Sequence, residues 1–359
     1  VIASHCRPNN STDNICNGNF KGKLINDTQG FCPFLVFSNR THIKRFDLST
    51  RLEDVLSVPN IQSVAPVEYD ILNNCLFWAD FKRDIIAKQC FNDNTTEILV
   101  SNDLELVESL AYDWISHHLY FLDSKRATIE IIQTDSNSSI RMRKIILDSN
   151  VLSKPRDIAV HPTYGYLFWT DWSADNPRIG RSNLDGKDVR ILFKSPEVYW
   201  PNGITIDYIN NKIYWVDAKY DYIARSDFDG NDLKKILEKS DFVRHPFSIS
   251  AIGNHIYWSD WHQKAIFYVD KEDTKSIHQL VGDLVAMGLR AYESSSQEGT
   301  NACTSATCRY LCIGTPNQNY SCLCPDGMEM MNDTCLCSEH IMPFTNMTCP
   351  NQKKICTSR

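Results

Sequence analysis

The chain has 359 residues, of which 42% are hydrophobic and 23% are charged, and its formal net charge is -7. This composition is that of a folded globular protein, and no stretch approaches the roughly 18 apolar residues that a membrane span requires. The basic residues are scattered and the net charge is negative, so we expect no nucleic-acid partner. No basic region followed by an apolar run opens the sequence, so we expect no signal peptide here and any membrane anchor outside this chain.

Residues 1–32 hold three of the fourteen cysteines, Cys6, Cys16 and Cys32, and only two cysteines occur in the next 270 residues. Cysteine-rich ends of this kind indicate small disulfide-stapled modules beside a domain with a core of its own. Cys16 and Cys32 flank the run Asn17-Gly18-Asn19-Phe20, which resembles the tail of an EGF-like module. We interpret residues 1–32 as a partial or degenerate EGF-like segment, and the resemblance implies a Cys16–Cys32 disulfide.

A five-residue pattern of aliphatic, aromatic, aromatic, variable and Asp recurs every 43 to 48 positions. Its copies lie at 76–80, 119–123, 167–171, 213–217 and 256–260, and a degenerate copy at 35–39 ends in Asn39. A period of about 40 to 50 residues that contains several short strands is typical of a propeller blade. Within one period, residues 201–207, 212–216, 222–226 and 233–237 read as four antiparallel strands separated by turn residues.

First strands of six blades are predicted independently, at 61–69, 107–113, 155–161, 201–207, 246–252 and 287–292. The copy at 35–39 has no first strand ahead of it, so we expect 287–292 to return and complete the opening blade. Closure of this kind removes the exposed edges of an open sheet. The sequence therefore predicts an all-β fold, with a six-bladed β-propeller over residues 33–293.

The repeated aromatic and acidic residues have a structural explanation. Trp78, Trp169, Trp215 and Trp258 are expected to pack between blades, since each can bury about 150 to 250 Å² there. The aspartates at the strand ends are expected to accept turn amide protons. No H-E-x-x-H, G-x-S-x-G, P-loop or G-x-G-x-x-G pattern occurs, so we expect no enzyme.

Cys75 and Cys90 test the predicted register. A hairpin with residues 81–84 as its loop pairs Asp80 with Ile85, and the same register sets Cys75 opposite Cys90. The sequence therefore predicts a cross-strand disulfide.

The region 300–336 contains Cys303, Cys308, Cys312, Cys322, Cys324 and Cys335, and Pro325-Asp326-Gly327 follows the fifth. Spacing alone allows 15 pairings. The pattern resembles an EGF-like module, which implies Cys303 with Cys312, Cys308 with Cys322 and Cys324 with Cys335. Residues 297–302 lack an acidic cluster, so no metal site or cofactor is expected in this chain, although neighbouring modules could bind calcium. Residues 337–359 read as a linker or the start of a further cysteine-rich module, with the pairing of Cys6, Cys337, Cys349 and Cys356 open.

Sequons for N-glycosylation are scattered along the chain. They lie at Asn9 or Asn10, Asn26, Asn39, Asn94, Asn137, Asn319, Asn332 and Asn346. Such acceptors function only in the secretory pathway, and they agree with the even cysteine count. An oxidising, extracellular setting is therefore favoured over the alternative of a cytosolic metal protein.

Several phrases inside the repeats carry a family resemblance. The phrases at 154–160, 168–172, 200–205 and 245–248, together with the EGF-like module, resemble those of the low-density lipoprotein receptor family. The resemblance implies an endocytic receptor at the cell surface that cycles through endosomes, in which neighbouring cysteine-rich modules capture a protein or lipoprotein ligand. It also implies a folding chaperone specific for such propellers. The member, among lipoprotein, scavenger and yolk-protein receptors, stays open.

His245 matches the family's His-Pro-Phe-Ser site, where the histidine belongs to the contact that releases ligand in acid. An unperturbed imidazole titrates near pH 6.5, between the two compartments. A second family histidine is replaced by Ala291, so sensor and simple loop cap stay open for His245. The remaining turn histidines are interpreted as exposed, namely His117, His118, His161, His255 and His262.

Partner binding is expected on the propeller face whose loops surround the central channel. The candidate anchors just outside the predicted strands are Trp172, Tyr199, Trp200, Trp261 and Arg156, and the alternative is that they cover neighbouring loops. A second function stays open as well, in which a signalling co-receptor or adhesion protein uses this face as its primary binding site.

Overall fold

The computed structural model describes residues 32–135, 141–331 and 334–337, together with two short strands near the C-terminus. In this part of the chain, 24 strands form six four-stranded antiparallel sheets that are the blades of a propeller. The fold is all-β, as the repeat predicts. Cys6, Cys16, Asn10, Asn26, Asn137, Asn332 and Asn346 lie outside the described residues, whereas Cys32 is disulfide-bonded.

The strands follow the blades in chain order. Blade 1 contains β1 (Phe34–Ser38), β2 (Ile43–Asp47) and β3 (Glu53–Val55), and blade 2 contains β4 (Val64–Asp70), β5 (Cys75–Asp80), β6 (Ile85–Cys90) and β7 (Thr95–Val100). Blade 3 contains β8 (Val107–Asp113), β9 (His118–Asp123), β10 (Thr128–Gln133) and β11 (Arg143–Leu147), and blade 4 contains β12 (Pro155–His161), β13 (Tyr166–Asp171), β14 (Arg178–Asn183) and β15 (Arg190–Lys194). Blade 5 contains β16 (Pro201–Asp207), β17 (Lys212–Asp217), β18 (Tyr222–Asp227) and β19 (Lys234–Glu238), and blade 6 contains β20 (Pro246–Ile252), β21 (His255–Asp260), β22 (Ala265–Asp270) and β23 (His278–Val281).

The ring closes through β24 (Gly288–Tyr292), which pairs with β1 from Phe34↔Tyr292 to Ser38↔Gly288 and becomes the inner strand of blade 1. The predicted closure is therefore confirmed. Because every blade is antiparallel, the inner strands all begin at one end of the ring, together with the turns between the second and third strands. We call this end the upper face and the opposite end the lower face.

The core lies between blades as six clusters, each centred on two adjacent blades. Trp78, Trp169, Trp215 and Trp258 are at most 1% exposed in four of these clusters. At about 25 cal/mol per Å², burying 150 to 250 Å² contributes roughly 4 to 6 kcal/mol per side chain before entropy is counted. The tryptophans are thus scaffold residues.

The repeated aspartates connect two segments of their own blade. The Asp217 carboxylate accepts the turn amides of Lys219 and Tyr220 and also the amides of Tyr199 and Trp200, which lead into β16. The equivalent Asp80, Asp123, Asp171 and Asp260 make the same two kinds of bond. Each aspartate therefore fixes the position of the loop that enters its blade on the upper face.

Blade 2 carries a disulfide between Cys75 and Cys90, which are opposite each other in the β5–β6 register. Asp80 pairs with Ile85 in the same hairpin, as the four-residue loop requires. In the C-terminal module the disulfides join Cys303 to Cys312, Cys308 to Cys322 and Cys324 to Cys335.

After β24 come a 3-10 helix (Ala302–Thr304) and the hairpins β25 (Leu311–Thr315) with β26 (Asn319–Leu323) and β27 (Met328–Met331) with β28 (Thr334–Cys337). The strands β29 (Met347–Thr348) and β30 (Thr357–Ser358) form a further pair. The EGF-like module is docked on the lower face, where Asn301 Nδ2 donates to the Pro162 carbonyl at 3.0 Å. Its Leu311 and Ile313 are completely buried in the cluster between blades 3 and 4.

Two histidines depart from the expected exposure. His118 and His161 are each 3% exposed, since they lie where a turn meets the packed lower end of a blade. His161 contacts the rings of Tyr164, Tyr208 and Phe228. Burial lowers the pKa of both imidazoles to about 4. The prediction of exposed turn residues was therefore wrong for this pair, whereas His262 is exposed.

Candidate protein-binding face

The upper face surrounds the mouth of the central channel. Arg156, Asn202, Phe247 and Met287 line a cavity of about 30 Å³ there, above the buried Asp157 and the partly buried Arg290. These side chains come from four different blades. A ligand at this mouth would therefore contact several blades at once.

A row of stacked side chains crosses the upper face beside the mouth, and we call it the Arg156 ladder: Trp172, Arg156, Phe247 and Trp261. The Arg156 guanidinium lies 5.4 Å from the Trp172 ring centroid and 4.7 Å from that of Phe247. Phe247 stacks on Trp261 with centroids 3.9 Å apart. All four side chains are partly exposed. The ladder thus offers aromatic faces and a cation to a partner.

The ladder is held in place from both sides. The Arg156 guanidinium pairs with the Glu108 carboxylate. Burial raises the pKa of Glu108 above its ordinary value, and Arg156 offsets only part of that rise. Trp261 Nε1 donates to the Ala286 carbonyl at 2.8 Å. These bonds fix the rings before any partner arrives, which reduces the ordering cost of binding.

A second group, the Trp200 cluster, contains Tyr199, Trp200, Lys219 and Tyr220. Tyr199 lies 6.3 Å from Trp200 and 5.8 Å from Tyr220 between ring centroids, and the Lys219 ammonium lies 5.2 Å from the Trp200 centroid. The backbone amides of Tyr199 and Trp200 donate to Asp217, so a scaffold aspartate positions the cluster.

The sequence candidates are therefore distributed over two groups, with Arg156, Trp172 and Trp261 in one and Tyr199 and Trp200 in the other. Phe247, which joins Arg156 to Trp261, was missed. The repeat contained a signal for it, since Arg156, Asn202 and Phe247 each follow the proline that begins an inner strand. Aligning the inner strands would have identified this position as one that faces the mouth.

Below the mouth, a buried ionic network connects four blades across the channel. Arg290 of β24 lies 3.4 Å from Glu68 and 3.2 Å from Asp157, and it donates to the Leu110 carbonyl at 3.1 Å. The Tyr292 hydroxyl donates to Glu68. Burial raises the pKa of Glu68, whereas Arg290 lowers it. For Arg290, burial lowers the pKa and the Asp157 and Glu68 carboxylates raise it, with a net upward shift.

His245 lies on the upper face at the end of the ladder, with its ring 6.1 Å from that of Trp261. Its backbone amide donates to Asp260 at 2.9 Å. His245 also interacts electrostatically with the Asp221 carboxyl. Burial and Asp260 raise the pKa of Asp221 above its ordinary value, and Arg244 and His245 offset only part of that rise. Ala291 is 7% exposed and its amide donates to Ser250.

Three predicted glycosylation sites, Asn39, Asn94 and Asn319, fall within the described residues, and Asn94 and Asn319 are exposed there. The same part of the chain contains no cluster of three His, Cys, Asp or Glu side chains arranged to hold a metal ion. None of its helices has the length and apolarity needed to cross a membrane.

The family model for the low-density lipoprotein receptor repeat class B matches residues 165–208 and 211–249, which cover the three outer strands of blade 4, blade 5 and the start of blade 6. The chain belongs to the low-density lipoprotein receptor family. The segments of this chain that match the class B repeat contain the scaffold residues Trp169 and Trp215. They also contain the Trp200 cluster.

Relatives of this receptor-family chain are much longer than the chain itself. Vitellogenin receptor Yl of Drosophila melanogaster is 31% identical over 279 residues, which are 76% of this chain and 14% of that protein. The vitellogenin receptor of Solenopsis invicta is 29% identical over 323 residues, 85% of this chain and 17% of the relative. The sortilin-related receptor of Oryctolagus cuniculus is 33% identical over 338 residues, with coverages of 89% and 15%.

A solved structure described as a nidogen/laminin complex contains a chain of the same fold. It superposes with a TM-score of 0.64 at 23% identity and covers 74% of this chain and all of that one. The likeness supports the propeller architecture of this receptor-family chain.

Proposed function

We propose that this chain is the extracellular part of an endocytic receptor that binds a protein or lipoprotein ligand through the upper face of its propeller. The carrying observation is the Arg156 ladder, in which partly exposed rings and a guanidinium lie beside the channel mouth. Aromatic residues and arginine are the side chains that most often dominate the energy of protein interfaces. Family membership supports a receptor role.

Vitellogenin is the first ligand to test, because two of the relatives are named as its receptors. Neighbouring cysteine-rich modules of the full receptor would take part in capture, a membrane anchor would lie outside this chain, and a propeller-specific chaperone would assist folding. We further propose acid-triggered release in endosomes. The support is the position of His245 next to Trp261, where a protonated ring would add positive charge to the ladder.

Binding of purified vitellogenin to the immobilised chain would test the proposal. Trp261→Ala and Trp200→Ala should each weaken binding at least tenfold, as expected for an anchor worth more than about 1.4 kcal/mol. Ile209→Ala is the matched control, since Ile209 is 63% exposed in a turn on the lower face and should leave affinity unchanged. Circular dichroism would show that each variant is folded.

Equal affinity of wild type and both tryptophan variants would remove the upper face as the binding site. Measuring the complex at pH 7.4 and pH 5.5 tests release separately. An affinity that does not fall at pH 5.5, or that falls equally in His245→Gln, would contradict the role of His245. Absence of vitellogenin binding with strong binding of another secreted protein would favour the alternative, in which a co-receptor or adhesion protein uses the same face.

A further inference from the structure

The outer strands of the blades are the exposed edges that a closed propeller still has. An unpaired edge can pair with another chain, and proteins prevent this with short strands, basic side chains or a covering segment. Five of the six outer strands have such protection. β3 and β23 have three and four residues, β15 contains Arg190 and Lys194, β19 contains Lys234 and Lys235, and β11 is covered by the EGF-like module.

The cover on β11 is specific. Asp326 of the EGF-like module accepts the Ile145 amide at 2.8 Å, and its own amide donates to the Arg143 carbonyl at 3.0 Å. A segment of the module thus uses the hydrogen-bonding groups that an incoming strand would need.

Within the part of the chain that the structure describes, blade 2 has none of these three protections. Its outer strand β7 is the longest of the six, with six residues, and contains no Lys, Arg or Pro. The first four residues are exposed, and Ile98 is 49% exposed. The one charged side chain, Glu97, forms an ion pair with Arg141. By edge-strand criteria, β7 is the place on this propeller where association between copies is expected.

The sequon Asn94-Thr95-Thr96 stands at the start of this strand. Asn94 is exposed, and so are its neighbours from Asn92 to Ile98. Its Oδ1 accepts from Gln89 Nε2 at 3.4 Å, an interaction that a glycan on Nδ2 would leave in place. The turn lies at the lower end of the blade, so a glycan there would leave the upper face open.

We propose that Asn94 carries an N-linked oligosaccharide that shields the outer edge of blade 2. The donor would be an oligosaccharide on a polyprenol diphosphate. The bond from sugar C1 to the Asn94 Nδ2 forms as the C1–oxygen bond to the diphosphate breaks, the amide loses one proton, and the lipid diphosphate leaves. A hydrated glycan beside β7 then occupies the space that a second strand would need.

The choice of variant follows from the backbone. Asn94 has a φ of +56°, a conformation that Asn tolerates better than most residues, so replacing it would strain the turn. Thr96 is exposed and its substitution leaves the turn intact. Thr96→Ala therefore destroys the sequon, and Thr96→Ser is the matched control that keeps it.

The full chain would be secreted from eukaryotic cells and its peptides analysed by mass spectrometry after enzymatic deglycosylation in ¹⁸O water. We expect the label at Asn94 in wild type and Thr96→Ser, and its loss in Thr96→Ala. An unlabelled Asn94 in secreted wild-type protein would overturn the proposal.

Size-exclusion chromatography of the same proteins tests shielding. Thr96→Ala should show at least a severalfold larger associated fraction than Thr96→Ser, and adding Ile98→Lys should restore the monomer by placing a charge on the edge. If occupied and unoccupied proteins associate equally, the glycan does not shield β7 and this part of the proposal fails.

Discussion

Replacing Arg290 by Met tests whether the ionic network in the channel holds the ring closed. One guanidinium serves two buried carboxylates, Glu68 and Asp157, from two other blades. Removing one member of a buried ion pair typically costs about 3 to 5 kcal/mol, because the remaining charge stays buried without compensation. We expect a loss of that size in the free energy of unfolding at pH 7.5, measured by urea titration with tryptophan fluorescence.

The loss should depend on pH in a defined direction. Burial raises the pKa of Glu68 and Arg290 opposes this, so the Arg290→Met protein should have a still higher Glu68 pKa. A carboxyl whose folded pKa exceeds its unfolded value near 4.5 contributes less stability as the pH rises through the folded pKa. The deficit of Arg290→Met should therefore be smaller at pH 5 than at pH 7.5.

Two further variants complete this test. Arg190→Met removes half of an exposed pair with Asp188 and should leave the free energy of unfolding nearly unchanged. Adding Glu68→Gln to Arg290→Met should remove much of the pH dependence. A deficit below about 1 kcal/mol at pH 7.5, or one that is equal at both pH values, would refute the assignment of the network as a closing element.

Three other substitutions test the rest of the scaffold. Cys75→Ala with Cys90→Ala should lower the unfolding free energy by about 3 kcal/mol, and an unchanged urea midpoint would contradict this. In Gly165→Ala the new Cβ would lie 2.5 Å from the backbone of the EGF-like module, so limited proteolysis should cut the chain before Cys303 faster. The control is Gly327→Ala, because Gly327 has a similar positive φ and its new Cβ would have no neighbour within 4 Å. His161→Phe should make stability less dependent on pH. In the wild type, the His161 imidazole has a pKa near 4 when folded and about 6.5 when unfolded, which lowers the free energy of unfolding by roughly 1.4 kcal/mol at pH 5.5. A stability difference from wild type that is constant between pH 7.5 and pH 5.5 would contradict it.

The repeat made much of the fold predictable because each of its residues has a fixed geometric role. The position of Cys90 opposite Cys75 follows from a four-residue loop and the two-residue period of a strand, and the structure has this register. Ring closure followed from counting strands, since one copy of the pattern had no inner strand of its own.

Contacts between distant blades were not predictable in the same way. Arg290 meets Glu68 from 222 positions away, and no local pattern marks either residue. The burial of His161 has the same cause: its turn was located correctly, but Tyr208 and Phe228, which cover it, belong to the next blade. Sequence periodicity gives the position within a blade and carries no information on what the neighbouring blade places against it.

The register of the inner strands separates scaffold from recognition within this one chain. The residues opposite the repeat's third position are all aliphatic and buried, namely Val67, Leu110, Ile158, Ile204, Ile249 and Leu289. Two residues earlier, at the upper face, the same strands carry Ala65, Glu108, Arg156, Asn202, Phe247 and Met287. The inner strands therefore form two rings of six equivalent positions. In the first ring, where the blades pack, all six side chains are aliphatic, whereas the second ring, at the upper face, has six different side chains. Packing between blades constrains the first ring to aliphatic side chains. In the second ring Ala65 and Asn202 are buried and Asn202 donates to the Pro246 carbonyl, whereas Arg156 and Phe247 are partly exposed. Specificity in this propeller is therefore expected to reside in that second ring.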